Sequence, residues 1–291
     1  MSRIAIIGGG NIGEALLSGL LRSGRQAEDI AVAEHVEARA RHLSEKYSVP
    51  VTGVADAVAN ASFVIVAVKP ADVDAVTGAI TEAVTRAAAD APEQVVVSVA
   101  AGVTTGYYEA KLPAGTPVIR VMPNAPMVVG AGVSAIAKGR FASAKQLKEV
   151  AALFDSVGGV LTVPEPQLDA VTAVSGSGPG YFFLVVEALV DAGVAVGLSR
   201  SVATDLVVQT MAGSAAMLLD RMGGAGTPEQ EASTGAAPDT TPAQLRATIT
   251  SPGGTTAAGL GELERGGLRA TFAAAVQAAK SRSEQLGITS E

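Results

Sequence analysis

Cysteine and tryptophan are absent from the 291 residues, and aromatic residues make up only 3% of the chain. Without cysteine the chain has no disulfide, no thiolate nucleophile and no sulfur ligand, and we predict no metal site. The absence also fits a reducing compartment. Because aromatic residues are scarce, we expect the core to consist of Ala, Val, Leu and Ile, in keeping with the 48% hydrophobic content.

Charged residues are few as well, at 17%, and the formal net charge is -7. No cluster of Lys and Arg stands out, which argues against a nucleic-acid partner. The longest uncharged runs, such as Val121–Ala137, contain Pro, Asn and Gly, so no membrane span is predicted. The apolar run Ile4–Ile7 is too short for a signal peptide. We therefore expect a cytoplasmic protein without a membrane partner.

The first half of the chain alternates short apolar runs with helical patterns. Continuous apolar strands are typical of a parallel sheet covered on both faces, so residues 1–163 are predicted to form a Rossmann-like, doubly wound, mostly parallel α/β domain. The predicted strands are Ile4–Ile7, Ile30–Glu34, Phe63–Val68, Val95–Ala101, Val118–Met122, Gly132–Ala137 and Val160–Val163. The predicted helices are Asn11–Arg22 with Asn11 as N-cap, Val36–Tyr47, Asp72–Ala89, and one after a capping box of Ser143 and Gln146.

The second half changes character after Pro164 and Pro166, which mark the predicted domain boundary. Residues 164–291 are predicted to form an all-α domain whose many small residues suit close packing of helices between subunits. Pro179 is expected to kink or break the first helix. Gly223–Thr241 is of low complexity and is predicted to be a mobile surface loop. The predicted helices are Leu168–Val196, Arg200–Met222, Pro242–Ile249, Thr255–Arg265 and Leu268–Leu286.

The first strand leads into the pattern G-x-G-x-x-G at Gly8 to Gly13, which opens a helix. In that position the pattern predicts a dinucleotide-binding turn. Gly8 permits the tight turn, Gly10 lets the backbone approach the pyrophosphate, and Gly13 allows close helix–strand packing. Together with Asn11 and Ile12, these residues present the positive end of a helix to the phosphates. The alternative is a turn with a structural role only.

An acid follows the second strand. Glu34 lies about 20 residues after the glycines, where an acid usually holds the adenosine ribose and favours NAD over NADP. His35 and Arg39 are close to it in sequence and could instead meet a 2′-phosphate. The residues therefore predict a cofactor that is either NADPH or NADH.

Other candidate cofactor contacts lie where further strands end. Ala67, Val68, Lys69 and Pro70 close the third strand, and Asn124 follows a later one between two prolines. Because the carboxyl ends of parallel strands share one edge of the sheet, we expect these residues to line the cofactor crevice. The alternatives are an exposed lysine at a strand end and an asparagine with a turn role.

Histidine is represented only by His35 and His42, both at or near the second helix and away from the expected nicotinamide end. Hydroxyacid and alcohol dehydrogenases normally need a positioned proton donor, most often histidine. The shortage of histidine therefore argues against an enzyme that reduces a carbonyl group. It favours a substrate such as a protonated imine, for which orientation and hydride delivery supply most of the catalysis.

A second glycine turn lies between two C-terminal helices, at Ser251-Pro-Gly253-Gly254-Thr255-Thr256. Two glycines allow positive φ, and the threonine pair can cap the following helix. Successive N–H groups and hydroxyls at a helix N-terminus make a site for a carboxylate. The alternative is a simple helix–helix turn.

With this loop the sequence resembles the pyrroline-5-carboxylate reductase family. The resemblance rests on Leu245–Leu263 around the second turn and covers essentially the whole chain. Four further segments match the family in the same order: Gly8–Gly13, Val68–Pro70, Val121–Pro126 and Val174–Pro179.

The resemblance implies an NAD(P)H-dependent oxidoreductase that reduces the imine of 1-pyrroline-5-carboxylate to L-proline, the last step of proline biosynthesis. It implies that Ser251, Gly253, Gly254, Thr255 and Thr256 bind the substrate carboxylate and that Thr256 assists at the imine nitrogen. It also implies a helical dimerisation domain and a homo-oligomer, either a dimer or a decamer built from dimers.

Two alternatives are kept. A β-hydroxyacid dehydrogenase-like reductase would need a lysine in the helical domain, where Lys280 is the only one. A non-catalytic dinucleotide-binding sensor would need no second anion site. The chain also departs from the family in the length of Gly223–Thr241, where Asp239 is the nearest counterpart of an acidic residue found in some relatives.

Overall fold

The computed structural model describes residues 3–86, 93–223 and 242–287. They fall into two compact units, one formed by residues 1–179 with 276–291 and the other by residues 180–275. Most of Gly223–Thr241, including Asp239, lies outside the described residues, so the prediction of a mobile loop stays a prediction.

A single sheet of eight strands, in the order β3-β2-β1-β4-β5-β6-β7-β8, organises the first unit. Every neighbouring pair is parallel except β6 and β7, which are antiparallel. This confirms the predicted Rossmann-like, mostly parallel sheet. The strands are β1 (Ile4–Ile7), β2 (Ile30–Ala33), β3 (Val51–Thr52), β4 (Phe63–Val66), β5 (Val95–Ser98), β6 (Val118–Met122), β7 (Gly132–Lys138) and β8 (Gly158–Thr162).

Helices cover both faces of this sheet, which explains why the central strands are continuous apolar runs. Side chains such as Ile6 and Ile65 pack with α1, α2 and α6 on one face. Val64 and Val66 pack with α3, α4 and α5 on the other. The helices of the first unit are α1 (Asn11–Arg22), α2 (Glu37–Tyr47), α3 (Val54–Val58), α4 (Val73–Arg86), α5 (Thr105–Lys111), α6 (Ala144–Phe154) and α7 (Leu168–Val171).

Capping explains two of the helix starts. The predicted capping box of α6 is confirmed, because the Ser143 hydroxyl accepts from the Gln146 N–H and the Gln146 side chain accepts from the Ser143 N–H at 2.7 Å. The prediction that Asn11 caps α1 is wrong: Gly10 is the N-cap and Asn11 is already helical. The Asn11 amide oxygen instead accepts from Arg39, 3.4 Å away. Helix α5, capped by Thr104, was not predicted.

The predicted helix Leu168–Val196 is broken. Helix α7 passes into a π-helical turn at Thr172–Gly176, and α8 (Gly178–Ala195) begins after Ser177. Pro179 lies in the first turn of α8, where a backbone N–H would have no hydrogen-bond partner within the helix, so proline is tolerated there. The predicted break at this proline is therefore confirmed. Turns of π-helix occur frequently at functional sites.

The second unit, as far as it is described, is helical. It contains most of α8, then α9 (Arg200–Gly223), α10 (Pro242–Thr248), α11 (Thr255–Arg265) and the start of α12 (Leu268–Leu286). Many of its large apolar side chains are exposed, among them Phe182, Phe183, Leu184 and Val196. An exposed apolar surface of this extent marks an interaction site.

Two helical stretches, Glu165–Ala195 and Arg200–Arg221, have the length and hydropathy of a membrane span. We predicted no membrane span because no uncharged run was long and free of Pro, Asn and Gly. A helix that contains one or two charged residues can still have a high mean hydropathy. A helix that packs against a second subunit can have the same length and composition as a helix that spans a membrane.

Candidate active site

Three strand ends meet beside the first glycine turn. The Gly8 N–H donates to the Ala33 carbonyl and the Ala67 N–H donates to the Ile7 carbonyl, both at 2.8 Å. These bonds join the carboxyl ends of β1, β2 and β4, the edge at which parallel α/β sheets bind ligands. The predicted cofactor residues after these strands are therefore brought together at one edge.

Two glycines in the turn are required by close packing. Gly8 has φ +102°, and a Cβ there would lie 2.7 Å from the Ala67 carbonyl oxygen and 3.0 Å from Val68 Cγ1. A Cβ on Gly13 would overlap the Gly8 carbonyl oxygen. Only glycine lets α1 start this close to β1.

Gly10 is different, because a Cβ there would meet no heavy atom within 4 Å. It is the N-cap of α1, and no side chain caps the helix. The first N–H groups of a helix have no partner within the helix and carry its positive partial charge. The start of α1 at Asn11 and Ile12 is therefore open to an anion.

Glu34 is turned towards the backbone. Its Oε2 accepts from the Gly9 N–H at 2.9 Å and its Oε1 accepts from the Val36 N–H at 2.8 Å. The side chain is only 6% exposed, whereas that of the neighbouring His35 is 91% exposed. A Cβ on Gly9 would overlap Leu43 and lie 3.3 Å from Glu34 Oε2. Sequence reasoning missed Gly9, although it is the middle of three consecutive glycines.

A cation lies over the same turn. Arg39 donates through Nε to the Gly9 carbonyl, and its Nη2 lies 3.5 Å from Glu14 Oε2. Glu14 Oε1 also accepts from Lys46 at 2.9 Å and from the Tyr47 hydroxyl at 3.0 Å. Burial by itself raises the pKa of Glu14, but the hydrogen bonds from Lys46, His42 and Tyr47 lower it overall. His42 thus contacts α1, with its Nε2 3.2 Å from Glu14 Oε1.

The segment that follows β4 carries other predicted contacts. Ala67, Val68 and Pro70 are partly buried beyond β4, and Lys69 is exposed. Lys69 precedes a short 3-10 turn at Pro70–Asp72. The backbone of this segment therefore follows the edge while the lysine side chain faces solvent.

Asn124 connects two parts of the first unit. Its amide oxygen accepts from the Val133 N–H at 2.9 Å. Its amide nitrogen lies 3.3 Å from the Ser175 hydroxyl and 3.4 Å from the Ser175 carbonyl, in the π-helical turn. A Cβ on Gly176 would lie 2.7 Å from Met122 Cε. Asn124 thus fixes the segment after β6 against the Val174–Pro179 motif.

Sequence reasoning also missed a buried arginine in β6. The Arg120 side chain is 4% exposed and lies 3.6 Å from Glu165 Oε1. Glu165 accepts in addition from the Thr105 N–H at 2.7 Å and from the Thr105 hydroxyl at 2.6 Å. The sequence did contain a signal for this ion pair, because an arginine within an apolar strand is rarely buried without a partner. Nearby, burial raises the pKa of Tyr108 to about 12.

The second glycine turn is well exposed within its own unit. Gly253 has φ +70°, and the Gly254 N–H donates to the Ser251 carbonyl at 3.0 Å. The prediction that the threonines cap α11 is wrong, since Gly254 is the N-cap and Thr255 and Thr256 are the first helical residues. Within the described residues no side chain caps this helix, so its first N–H groups are available to an anion.

Ion pairs hold the helices on either side of this turn. Arg269 donates to Glu264 through Nε and Nη2, at 2.7–2.9 Å. Arg246 on α10 lies 3.9 Å from the same carboxylate. The Arg269 guanidinium lowers the pKa of Glu264. The carboxylate therefore links α10, α11 and α12 next to the Ser251–Thr256 turn.

Comparison with known proteins decides the family. Residues 165–286 match the family model "Pyrroline-5-carboxylate reductase dimerisation", and residues 3–102 match "NADP oxidoreductase coenzyme F420-dependent". The chain is 68% identical over 291 residues to the pyrroline-5-carboxylate reductase of Mycobacterium leprae, covering 100% of this chain and 99% of that protein. The chain belongs to the pyrroline-5-carboxylate reductase family.

Other members of the pyrroline-5-carboxylate reductase family agree with this assignment. The Mycobacterium tuberculosis H37Rv protein is 67% identical over 295 residues, with 100% of this chain and 99% of that protein covered. The solved structure from Coxiella burnetii has a TM-score of 0.87 at 32% identity and covers 99% of both chains. That of Plasmodium falciparum, with NADP bound, has a TM-score of 0.78 at 27% identity and covers 99% and 98%.

Membership of the pyrroline-5-carboxylate reductase family confirms the resemblance seen in the motifs. It also accounts for the exposed apolar helices, because the dimerisation match of residues 165–286 includes α8 and α9. The match to a dimerisation region supports a homo-oligomer.

Proposed function

We propose that this chain reduces 1-pyrroline-5-carboxylate to L-proline with NADPH or NADH, as the last step of proline biosynthesis. The observation that carries the proposal is the presence of two uncapped helix N-termini, each preceded by a glycine turn, at α1 and α11. One suits a diphosphate and the other a small carboxylate. A dinucleotide sensor would not need the second.

In this proposal the cofactor lies along the carboxyl edge of the sheet. The N–H groups from Gly8 to Gly13 hold the pyrophosphate, and the open position of Gly10 admits it. Glu34 and His35 lie at the adenosine end. The backbone of Ala67–Pro70 lies towards the nicotinamide end, where Asn124 positions the adjoining segment through its contact with Ser175.

The substrate carboxylate is held by Ser251, Gly253, Gly254 and the first amides of α11. A bound NAD(P)H would supply a hydride from nicotinamide C4 to the imine carbon, so that the cofactor loses two electrons and the C=N bond becomes a single bond. A protonated imine takes up the electron pair at nitrogen without a general acid. The Thr256 hydroxyl accepts a hydrogen bond from the N–H of that protonated imine, a role that needs no histidine.

We further propose that the working form is a dimer or a decamer of a soluble, cytoplasmic enzyme. The apolar surface of α8 and α9 supports the dimer. Residues of the helical unit in one copy would then complete the cofactor edge of another. No nucleic acid or membrane takes part in this proposal.

The test is an assay of the purified full-length chain with 1-pyrroline-5-carboxylate and each reduced cofactor, with proline measured as the product. We expect cofactor oxidation to be matched by proline formation. Thr256→Val should lower kcat by about tenfold or more, because it removes a hydrogen bond at a charged centre, and should leave cofactor affinity unchanged.

Two matched variants sharpen this assay. Thr256→Ser keeps the hydroxyl and should keep most activity. Thr248→Val removes a hydroxyl that donates to the Leu245 carbonyl at 2.7 Å, and should leave kcat unchanged. Cofactor binding without proline formation would favour the sensor, and an unchanged kcat in Thr256→Val would remove this residue from the mechanism.

A further inference from the structure

The loop between β5 and α5 begins at the carboxyl edge of the sheet. β5 ends at Ser98, and the loop runs from Val99 to Thr104, which caps α5. A Rossmann sheet has two halves, and a dinucleotide lies across the crevice between them. The half that carries the glycine turn and Glu34 suits the adenosine, so β4, β5 and β6 form the half for the nicotinamide. Under the proposed function this loop therefore borders the nicotinamide.

The first part of the loop is fixed by its own half of the sheet. The Val99 N–H donates to the Val66 carbonyl at 3.0 Å, which joins the loop to the end of β4. The Ser98 hydroxyl lies 2.9 Å from the Tyr108 hydroxyl on α5 and accepts from the Ala100 N–H at 3.2 Å. These bonds hold the loop as far as Ala100.

The second part of the loop packs against the end of α12. Gly102 is buried and has φ +77°, and a Cβ there would lie 3.0 Å from the Leu286 carbonyl oxygen and 3.1 Å from Gly287 Cα. A Cβ on Gly287 would in turn lie 3.4 Å from the Gly102 carbonyl oxygen. Two glycines thus let the two backbones approach closely. The position of the loop at Gly102 therefore depends on the position of this helix end.

A buried hydrogen bond holds the end of α12 against α7. The Ser283 hydroxyl donates to Asp169 Oδ1 at 2.6 Å, and Ser283 is 6% exposed. Hydrogen bonds with an ionised partner are roughly twice as strong as neutral ones. Among the described residues, the other side-chain hydrogen bonds of this helix end, from Gln277, Lys280 and Arg282, stay within α12. Ser283 is therefore the polar link from the helix end to the first unit.

We propose that Ser283 is a positioning residue for the reduction: through Asp169 it holds the end of α12 against Gly102, and so fixes the loop that borders the nicotinamide. This inference deepens the proposed function and rests on it. A misplacement of about 1 Å that starts far from the reacting atoms can lower the rate by about 100-fold. Loosening the loop should lower kcat more than it weakens cofactor binding, because the glycine turn and Glu34 are unchanged.

The experiment compares Ser283→Ala with the wild type, both as full-length chains, by kinetics, NADH titration and hydrogen exchange. We expect kcat for proline formation to fall about tenfold, while the dissociation constant of NADH changes by about twofold at most. In the absence of cofactor, the amides of residues 99–104 should exchange about tenfold faster, whereas those of β1 and α1 should not change. Exchange measures the contact of the loop with α12 without any dependence on turnover.

Two kinds of variant separate positioning from a general loss of stability. Ser281→Ala removes a hydroxyl from the same helix end, where it accepts only from Gln277 within α12, and should change neither kcat nor exchange. Asp169→Asn keeps an acceptor for Ser283 and should keep most of kcat. Asp169→Ala should match Ser283→Ala, and the double alanine variant should lose no more than either, since both remove the same bond.

Wild-type kcat in Ser283→Ala, an unchanged exchange of residues 99–104, or an equal loss in Ser281→Ala would overturn the inference. Losses that multiply in the double variant would also overturn it, because the two residues would then act separately. A wild-type protein that makes no proline would count against the proposed function, and the exchange of the loop would then decide its contact with α12 separately.

Discussion

Gly13 has no room for a methyl group beside the Gly8 carbonyl, whereas a methyl group on Gly253 would meet no atom within 4 Å. The first glycine turn is enclosed by the ends of β1, β2 and β4, and its shape is determined within one compact unit. Among the described residues, the second is held by its own helices and by the Arg246–Glu264–Arg269 ion pairs. Under the proposed function, the first turn is complete in a single chain, whereas the second would need another copy to reach a cofactor.

The largest effect should come from separating the copies. Phe183 on α8 is 70% exposed within the chain, and in the proposed dimer Phe183→Asp would bury a charge in the apolar helical surface, at a cost of several kcal/mol. We expect a monomer with little or no turnover and with NADH binding retained. Sedimentation, the proline assay and a cofactor titration measure the three properties.

Leu161→Asp provides the control for this prediction. Leu161 is 60% exposed on β8 in the first unit, outside the matched dimerisation region. The dimer should persist in this variant. A Phe183→Asp protein that stays dimeric and active would contradict the idea that the second turn needs another copy.

Overpacking the first turn should have the next largest effect. Gly13→Ala places a methyl group on the Gly8 carbonyl oxygen, so the free energy of unfolding should fall by about 1–3 kcal/mol and NADH binding should be lost. Gly259→Ala on α11 meets no neighbour and should raise the free energy of unfolding by about 0.5–1 kcal/mol. Chemical denaturation measures both. Equal effects at the two sites would contradict the tight packing of the first turn.

The smallest effect should come from removing the charge of Glu14, the α1 carboxylate next to the first turn. The pKa of Glu14 is lowered from 4.5 in the folded state, so Glu14 stabilises the fold above that value, and this stability is lost as the pH falls through the lowered pKa. At about pH 7, Glu14→Gln should lower the free energy of unfolding by under about 1 kcal/mol, since the side chain is partly exposed. The difference between the two proteins should disappear in acid. A difference that persists there would assign another role to Glu14.

Local patterns in the sequence were sufficient for much of the first unit. The Gly8–Gly13 turn, the order of strands and helices and the Ser143–Gln146 capping box depend on residues close in the chain, and the structure contains all of them. Strand ends were predicted slightly too long, at Glu34, Val68 and Ala101. In the structure β2, β4 and β5 end at Ala33, Val66 and Ser98, the last residues that pair with a neighbouring strand, whereas the apolar pattern continues beyond them.

Contacts between distant residues were not predictable in the same way. The Asn124–Ser175 contact and the Arg120–Glu165 ion pair join residues far apart in sequence, so no local period reveals them. The inward orientation of Glu34 depends on the missing side chain of Gly9 and on the Val36 N–H. Asn11 failed as a cap because Gly10 already has the extended backbone of an N-cap and Arg39 engages the Asn11 oxygen.

The most direct test of two anion-binding turns is the structure of the full-length protein with NADH and L-proline bound together, a pair that cannot react further. The account predicts the diphosphate on the amides of Gly8 to Gly13 and the proline carboxylate on the amides of Ser251 to Thr256. The nicotinamide C4 and the ring carbon should then be about 3–3.5 Å apart. A proline carboxylate bound elsewhere, with the Ser251–Thr256 turn remote from every nicotinamide in the assembly, would contradict it.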